Sequence, residues 1–463
     1  MNITVAPGRL MSRVPPLLRE TAFRRYWSAQ SISLAGDQIS SIALPLAAVL
    51  ALHANPAEMG YLSALIWLPS LLFALHAGAW VDRRGHRRAT MIAADLGRAA
   101  LLASIPVCSA LGVLTLAQLF AVAFAAGTLS IFFAVSDAGV FAALVPRDRY
   151  VEGNSLIYQS RALAAVAGPS VGGLLVEALT APFALAADAL SFLGSAFFLG
   201  RVRPAEPDPA QDARRGALSA GARFIWKSPI LRPSLACVSV INFFSFMFMA
   251  LFVLYATRSL HVRPGLLGVV LGAGAIGAVL GSLVTGRIAA RVGVGRAYLI
   301  GCIVYPAPIL LVPLAGGPRP LILAMLFTAE FVAGFGVMIL DISIGTIMAA
   351  VVPDPLRARV SGAFQAINYG TRPVGSLVGG AVGTLLGLHP ALWIAAAGGT
   401  LGFLCLLPSP MPRFRLTQAE GPASGSPSAE PEGAVSSSLS MEAEGPASGS
   451  RPAEPGRSNQ PAG

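Results

Sequence analysis

The chain has 463 residues, 55% of them apolar and only 12% charged, with a formal net charge of +11. So few charges cannot cover the surfaces of two or three water-soluble domains, and long stretches hold none at all, which points to helices that cross a bilayer. The positive balance is almost entirely arginine, set in short segments between apolar runs; there it meets anionic headgroups and fixes topology, so a nucleic-acid partner is excluded.

Residues 1–22 carry Arg9, Arg13, Arg19 and Pro15-Pro16 without a separate apolar core and cleavage site, which reads as a cytoplasmic tail rather than a signal peptide. Twelve apolar stretches follow, near 25–51, 58–80, 89–111, 115–138, 155–178, 181–200, 231–257, 265–286, 297–315, 320–343, 360–386 and 389–408. At about 1.5 Å per residue, each reaches the roughly 30 Å of a hydrocarbon core. With the N-terminus inside, 27 of the 33 basic residues fall in cytoplasmic segments. Three (Arg258, Arg263, Arg319) lie in external loops and three (Arg98, Arg161, Arg372) within spans. Both termini are therefore expected in the cytoplasm. The polar segment 201–230 divides six spans (23–200) from six (231–408) and reads as a cytoplasmic linker. Residues 409–463 repeat Ala-Glu-Gly-Pro-Ala-Ser-Gly-Ser and are expected to be a disordered cytoplasmic tail. Cys108, Cys237, Cys302 and Cys405 are isolated within apolar segments and read as small core residues, not as a disulfide or metal set.

The two halves resemble each other. Gly60 and Gly78 recur 208 residues later as Gly268 and Gly286, while Val145-Pro146, Gly168, Gly172 and Gly173 recur 207 residues later as Val352-Pro353, Gly375, Gly379 and Gly380. Repeats of the same hand after six spans imply two bundles related by a pseudo-two-fold axis along the membrane normal, with a path between them. The expected fold is an all-α membrane protein of twelve transmembrane helices in two six-helix bundles.

Between the second and third spans runs Gly78-Ala-Trp80-Val-Asp82-Arg83-Arg84-Gly85-His86-Arg87-Arg88, with an eroded copy at 286–296 in which Ala290 takes the place of Asp82. It resembles the G-x-L-x-D-R-x-G-R-R loop of the major facilitator superfamily, with Trp80 for the usual leucine and His86 for an arginine. Gly168-Pro169-Ser-Val-Gly172-Gly173 in the fifth span resembles the G-P-x-x-G-G motif of that superfamily's exporters, and Pro169 becomes Ser376 in the second half. Ser33-Leu-Ala-Gly36-Asp37-Gln38 followed by Ala43-Leu44-Pro45 resembles the branch that holds macrolide efflux proteins and the enterobactin exporter. The basic loop then serves as a topology anchor and inner gate, with Asp82 capping the next helix or pairing with an arginine. Asp82→Asn is accordingly expected to slow turnover more than any change at Ala290, and equal tolerance at both sites would leave the loop as an anchor alone.

Ionisable residues inside a bilayer are costly and tend to be functional. Asp37 sits near the middle of the first span and Glu330 about midway along the tenth; by the resemblance, both spans line the central cavity. Carboxylates so placed can bind and release a proton as the cavity opens to either side. Asp137 and Asp341, near the inner ends of the fourth and tenth spans, read first as inner-gate residues. Asp95 and Arg98 stand i, i+3 on the third span and can pair, while Arg161 and Arg372 need partners, for which Asp137 and Asp341 are available. Gln38, Asn242, Phe243, Phe244 and Arg372 are candidate cavity residues. Gly272-Ala-Gly274-Ala-Ile-Gly277 satisfies the dinucleotide fingerprint, but inside an apolar span it reads as helix packing. No Walker loop, catalytic triad or zinc pattern appears, so neither an enzyme nor an ATP-driven pump is expected.

The expected function is proton-coupled efflux of amphipathic small molecules of drug, macrolide or siderophore-like kind. The chain would work as a monomer in the cell inner (plasma) membrane, with the substrate and the bilayer as partners and the proton gradient in place of a cofactor. An uptake symporter of the same fold is the alternative, and a membrane receptor or scaffold a more distant one.

Overall fold

Helices account for every regular element among the described residues of the computed structural model, which are 15–204 and 217–414. The expectations for residues 1–14, 205–216 and 415–463, including the repeats in the tail, fall outside them. The long helices are α1 (Thr21–Leu46), α2 (Pro56–Arg84), α3 (Arg87–Ala110), α4 (Leu116–Leu144), α5 (Tyr150–Leu179), α6 (Ala181–Gly200), a short α7 (Ala217–Lys227), α8 (Leu231–Arg258), α9 (Pro264–Val292), α10 (Val294–Val304), α11 (Arg319–Val351), α12 (Asp354–Leu386) and α13 (Leu388–Leu401).

Local chemistry sets their ends. Asn55 and Glu58 form a reciprocal capping box at the start of α2, with Glu58 N–H donating to Asn55 at 3.0 Å and Asn55 N–H to Glu58 at 2.7 Å. Thr115 caps α4 through the Gln118 N–H. Gly85 (φ 69°) ends α2 and Gly293 (φ 88°) ends α9, again 208 residues apart. Each turns the chain through a region that L side chains avoid, so the next helix starts within two residues. The basic stretch at 78–88 is thus not a loop along its length. Gly78–Arg84 is the last part of α2 and Arg87 opens α3, leaving Gly85-His86 as the turn.

Among the described residues, eleven segments are long and apolar enough to cross a membrane. The stretch at 297–315 is broken, because Pro306 and Pro308 cannot donate into a helical ladder; α10 stops at Val304 and a 3-10 turn over Ala307–Leu310 carries the chain on. α12 is the long helix outside the eleven: its 33 residues hold Arg357, Arg359, Gln365, Asn368 and Arg372. The tail begins later than the composition suggests. Met411 is fully buried and the Phe414 carbonyl accepts the Gly295 N–H at 3.1 Å, so residues 409–414 pack against the start of α10.

The described residues belong to one compact unit. α1 packs on α5 and α6, α3 on α4 and α6, and α2 on α4; among the later helices α8 packs on α12 and α13, and α11 on α9 and α10. Two seams join the early helices to the late ones, α5 with α9 and α2 with α12. Lipid supplies no hydrophobic drive for such contacts, so small residues must let the backbones close up. A Cβ on Gly268 would lie 3.2 Å from the Cα of Gly173, and one on Gly60 would lie 2.8 Å from the Cα of Gly380. Near the other ends of α2 and α9, a Cβ on Gly78 or Gly286 would meet nothing within 4 Å. The close glycine contacts of both seams thus lie towards the end away from the arginine-rich one.

Candidate functional site

Two chambers lie in the space that the seams leave. The first, of about 300 Å³, is bounded by α1, α2, α5, α8 and α9 and is almost wholly apolar, with Ser41, Pro45, Trp67, Pro169, Phe246 and Leu271 in its wall. The second, of about 560 Å³, lies towards the arginine-rich end between α8, α11 and α12, and carries Asn242, Tyr305, Asp341, Gln365, Asn368 and Arg372. Phe246 belongs to both walls. Trp67 meets Phe246 edge to face at 5.2 Å, and the guanidinium of Arg372 sits 4.5 Å from the Trp67 ring, 4.9 Å from Phe246 and 3.9 Å from Tyr369. A helix of the first half thus contributes an aromatic face to a cation from the second, at the boundary between an oily and a polar compartment.

Asp37 stands one turn before Ser41 on the same face of α1, and its side chain is 47% exposed. Behind it is a buried charge network. Arg98 of α3, 3% exposed, pairs with Asp95 and comes within 3.8 Å of Asp37. The rings of Phe133 and Phe192 cover it at 4.6 and 4.0 Å. Asp188 of α6, 1% exposed, accepts hydrogen bonds from Ser40 and, at 2.8 Å, from Ser191, and is near enough to Asp37 and Arg98 to feel both charges. Gly36 makes the room, since a Cβ there would collide with Asp188 and Ser191. Asp95 and Asp37 therefore lie within 4 Å of one guanidinium, with Asp188 beside them. Asp188 went unremarked in the sequence, although the rule that singled out Asp37, a lone carboxylate inside an apolar span, applies to it equally.

The other candidates are distributed more widely. Glu330 lines neither chamber: it lies against α9, its carboxylate 3.5 Å from the place a Cβ on Gly274 would occupy, with no charged partner among the described residues. Asp341 faces the polar chamber with Arg372, yet no ion pair within 4 Å joins them. Asp137 accepts the Tyr26 hydroxyl at 2.5 Å and a hydrogen bond from Gln30, in a separate pocket that it shares with Arg161. Arg161 in turn lies 5.8 Å from the Tyr158 ring. Asn242 lines the polar chamber, but Gln38, Phe243 and Phe244 line neither. Gln38 packs on Gly168, Phe243 presents its backbone to Gly375, and the Phe244 ring covers Gly398. Phe246, which lines both chambers, and Trp67, which lines the apolar one, were not among the sequence candidates.

The glycine motif in α5 serves two contacts at once. Gly168 and Gly172 seat α5 on Gln38 and Ile39 of α1, whereas Gly173 and the Pro169 carbonyl meet Gly268 of α9. One turn further on, Glu177 accepts the Gly265 N–H at 3.0 Å, so a carboxylate caps the N-terminus of α9 from across the seam. In the basic hairpin, Arg88 donates to the Leu199 carbonyl at 2.8 Å and to that of Gly200, holding the end of α6. Arg84 lies 4.4 Å from the Trp80 ring. The Asp82 side chain falls outside the described residues. The glycines of the apparent dinucleotide fingerprint are packing residues: Gly274 and Gly277 press against Glu330 and Phe331 of α11.

Residues 11–440 match the family described as transmembrane secretion effector. The chain belongs to that family, within the major facilitator superfamily. It is a multi-pass membrane transporter and not an enzyme. It is similar to the multidrug efflux pump Tap of Mycolicibacterium fortuitum, 29% identical over 369 residues that cover 77% of this chain and 87% of the pump. Among solved structures, the nucleoside transporter NupG aligns with 13% identity over 83% of this chain and 97% of its own, with a TM-score of 0.69. A bacterial homologue of the iron transporter ferroportin in its inward-facing state aligns with 14% identity over 84% of this chain and 98% of its own, at a TM-score of 0.67. The outward-facing state of a bacterial ferroportin homologue gives 0.53. These structural likenesses concern the fold alone.

Proposed function

We propose that this protein exports amphipathic small molecules of the multidrug kind from the cell, driven by the proton gradient, by alternating access between two six-helix bundles. α12 counts as the twelfth crossing. It runs the length of the α2 seam, and its polar residues face a chamber rather than lipid. The arginine-rich end is the cytoplasmic one, both termini are cytoplasmic, and the host membrane is the plasma membrane. The chain works as a monomer without a cofactor.

The observation that carries this reading is the pair of seams between the halves, held at one end by glycine contacts, beside an apolar chamber and a polar one that share Phe246. That arrangement receives an amphipath from the cytoplasm and excludes the other side. The Tap pump's name supports the direction of transport and the breadth of substrate. Protons enter through Asp37, half-exposed on α1 with Arg98 3.8 Å behind it. Asp37, Asp95 and Asp188 gather around Arg98 inside the bilayer, where ionisable groups tend to be functional, and proton exchange accompanies the gain and loss of Asp37's contact with Arg98. Glu330 is the second, isolated proton site.

Proteoliposomes with an imposed pH gradient and a fluorescent amphipathic dye provide the test. Asp37→Asn should lower gradient-driven export by about 5- to 150-fold, the span of ordinary coupling free energies, while downhill dye equilibration persists. Glu330→Gln should give a smaller loss. Full gradient-driven export by both variants would sink proton coupling, and gradient-driven accumulation in the opposite sense would make the protein an uptake symporter.

A further inference from the structure

Arg372 is the unusual group in the polar chamber. A guanidinium inside a membrane protein is ordinarily held by a carboxylate, yet among the described residues no carboxylate lies within 4 Å of this one, and its Nε is buried without a hydrogen-bond partner. What holds it is aromatic: Trp67, Phe246 and Tyr369 lie at 4.5, 4.9 and 3.9 Å. The rings hold the guanidinium without neutralising its charge, and beyond the part of its edge that engages the Tyr369 side chain, N–H groups remain for the fork that matches a planar pair of oxygens. Two arginines, Arg357 and Arg372, and one aspartate, Asp341, line this chamber, and the hairpins around its open end are basic. Arg357 is paired with Asp354, so the charge that draws an anion inward is that of Arg372. On the far side of the Phe246–Trp67 plate lies the apolar chamber of about 300 Å³.

We propose that Arg372 is the specificity residue of a site for amphipathic carboxylates, with the acid head on the guanidinium edge and the apolar body against Trp67 and Phe246. The proposal rests on the transport reading above and narrows its substrate class: among amphipaths of equal bulk, singly negative ones are preferred. Asp341, in the same wall, opposes a second negative charge and so selects against dianions. Trp67 belongs to α2, whereas Arg372 and Phe246 belong to α12 and α8. A bound acid therefore touches both halves, and its departure accompanies their separation.

Three probes with one body separate charge from bulk: 1-pyrenebutyric acid, its primary amide, and 1-pyrenebutylamine, titrated by fluorescence into the full-length protein in lipid nanodiscs. The acid should bind about 10- to 100-fold more tightly than the amide or the amine, the range expected for a charge-assisted bidentate contact. Arg372→Gln should bring the acid down to the level of the amide and leave the amide unchanged. Arg372→Lys, which keeps the charge over the three rings but not the fork, should keep part of the preference. Equal binding of the three probes, or an equal loss for all three in Arg372→Gln, overturns the proposal and leaves Arg372 a packing residue. Tighter binding of the amine overturns it in favour of Asp341 as the anchor. Flux in proteoliposomes keeps the two readings apart. An acid preference with no transport of any probe would defeat the export reading alone, and export of amine and amide without an acid preference would defeat this inference alone.

Discussion

Gly268→Leu should abolish transport and shift the resting protein away from the state described above, while the protein still folds and inserts. The cause is local and steric. In the closed part of the α5–α9 seam a Cβ at 268 collides with the Pro169 carbonyl and lies 3.2 Å from the Cα of Gly173. Both are backbone atoms of α5, and no rotamer change relieves the contact. Overpacking of this kind costs about 1–3 kcal/mol, charged entirely to the state in which the seam is shut. A transporter must visit both states readily, so such a penalty shifts their ratio by about 5- to 150-fold. It also pulls α9 from Glu177, whose carboxylate now accepts the Gly265 N–H. A cysteine placed at Ser41, in the wall of the apolar chamber, reads the result in a background without the four native cysteines: it should become reactive to a membrane-impermeant maleimide from the outside. Gly286→Leu, at the other end of α9 where nothing lies within 4 Å, should leave this state undisturbed and favour it if the inner seam closes on the same helices. Unchanged outside labelling and normal flux in Gly268→Leu would show that the seam does not open there.

The glycine that governs this prediction was visible in the sequence as one of a pair 208 residues apart, and the duplicated hairpin was legible for the same reason. Repeated backbone requirements leave repeated glycines, even where the side chains around them drift. Other features leave no such trace. Phe243, Phe244 and Phe246 lie within four residues on α8, and all are apolar on a helix that is apolar nearly all round; which ring faces a chamber depends on where α12 and α13 happen to pack. Trp67 and Arg372 are 305 residues apart, and no spacing rule brings them together. α12 made the opposite difficulty. Its arginines and amides lower its hydropathy below that of the other spans, and those same residues line the polar chamber. Glu330 and Asp188 were equal by the rule that carboxylates inside a span are functional, and only packing sets them apart, one alone against α9 and one within reach of Arg98.

That network sets the second large effect, at Arg98. Arg98→Leu should lower the thermal stability of the purified protein severely, or prevent its accumulation, and Asp95→Leu/Arg98→Leu should restore much of the loss. The guanidinium is 3% exposed, pairs with the fully buried Asp95, and is walled in by Phe133 and Phe192. Removing it strands Asp95, one of whose oxygens already lacks a hydrogen-bond partner, and withdraws positive charge from Asp188 and Asp37. Breaking one side of a buried pair costs about 3–5 kcal/mol, whereas replacing both sides with apolar groups of similar volume is close to neutral. The two variants part company on stability but not on function. In both, Asp37 loses the charge 3.8 Å behind it, so the double variant should be stable and still poorly coupled to the pH gradient. Asp188→Asn supplies the control for charge within the same network, because the amide oxygen can still accept from one of Ser40 and Ser191 while the amide N–H donates to the hydroxyl of the other; it should cost less than Arg98→Leu in melting temperature. A single Arg98→Leu protein as stable as the parent would mean that Asp95 and Asp188 carry no charge for Arg98 to balance. A double variant with normal gradient-driven export would remove Arg98 from the proton path.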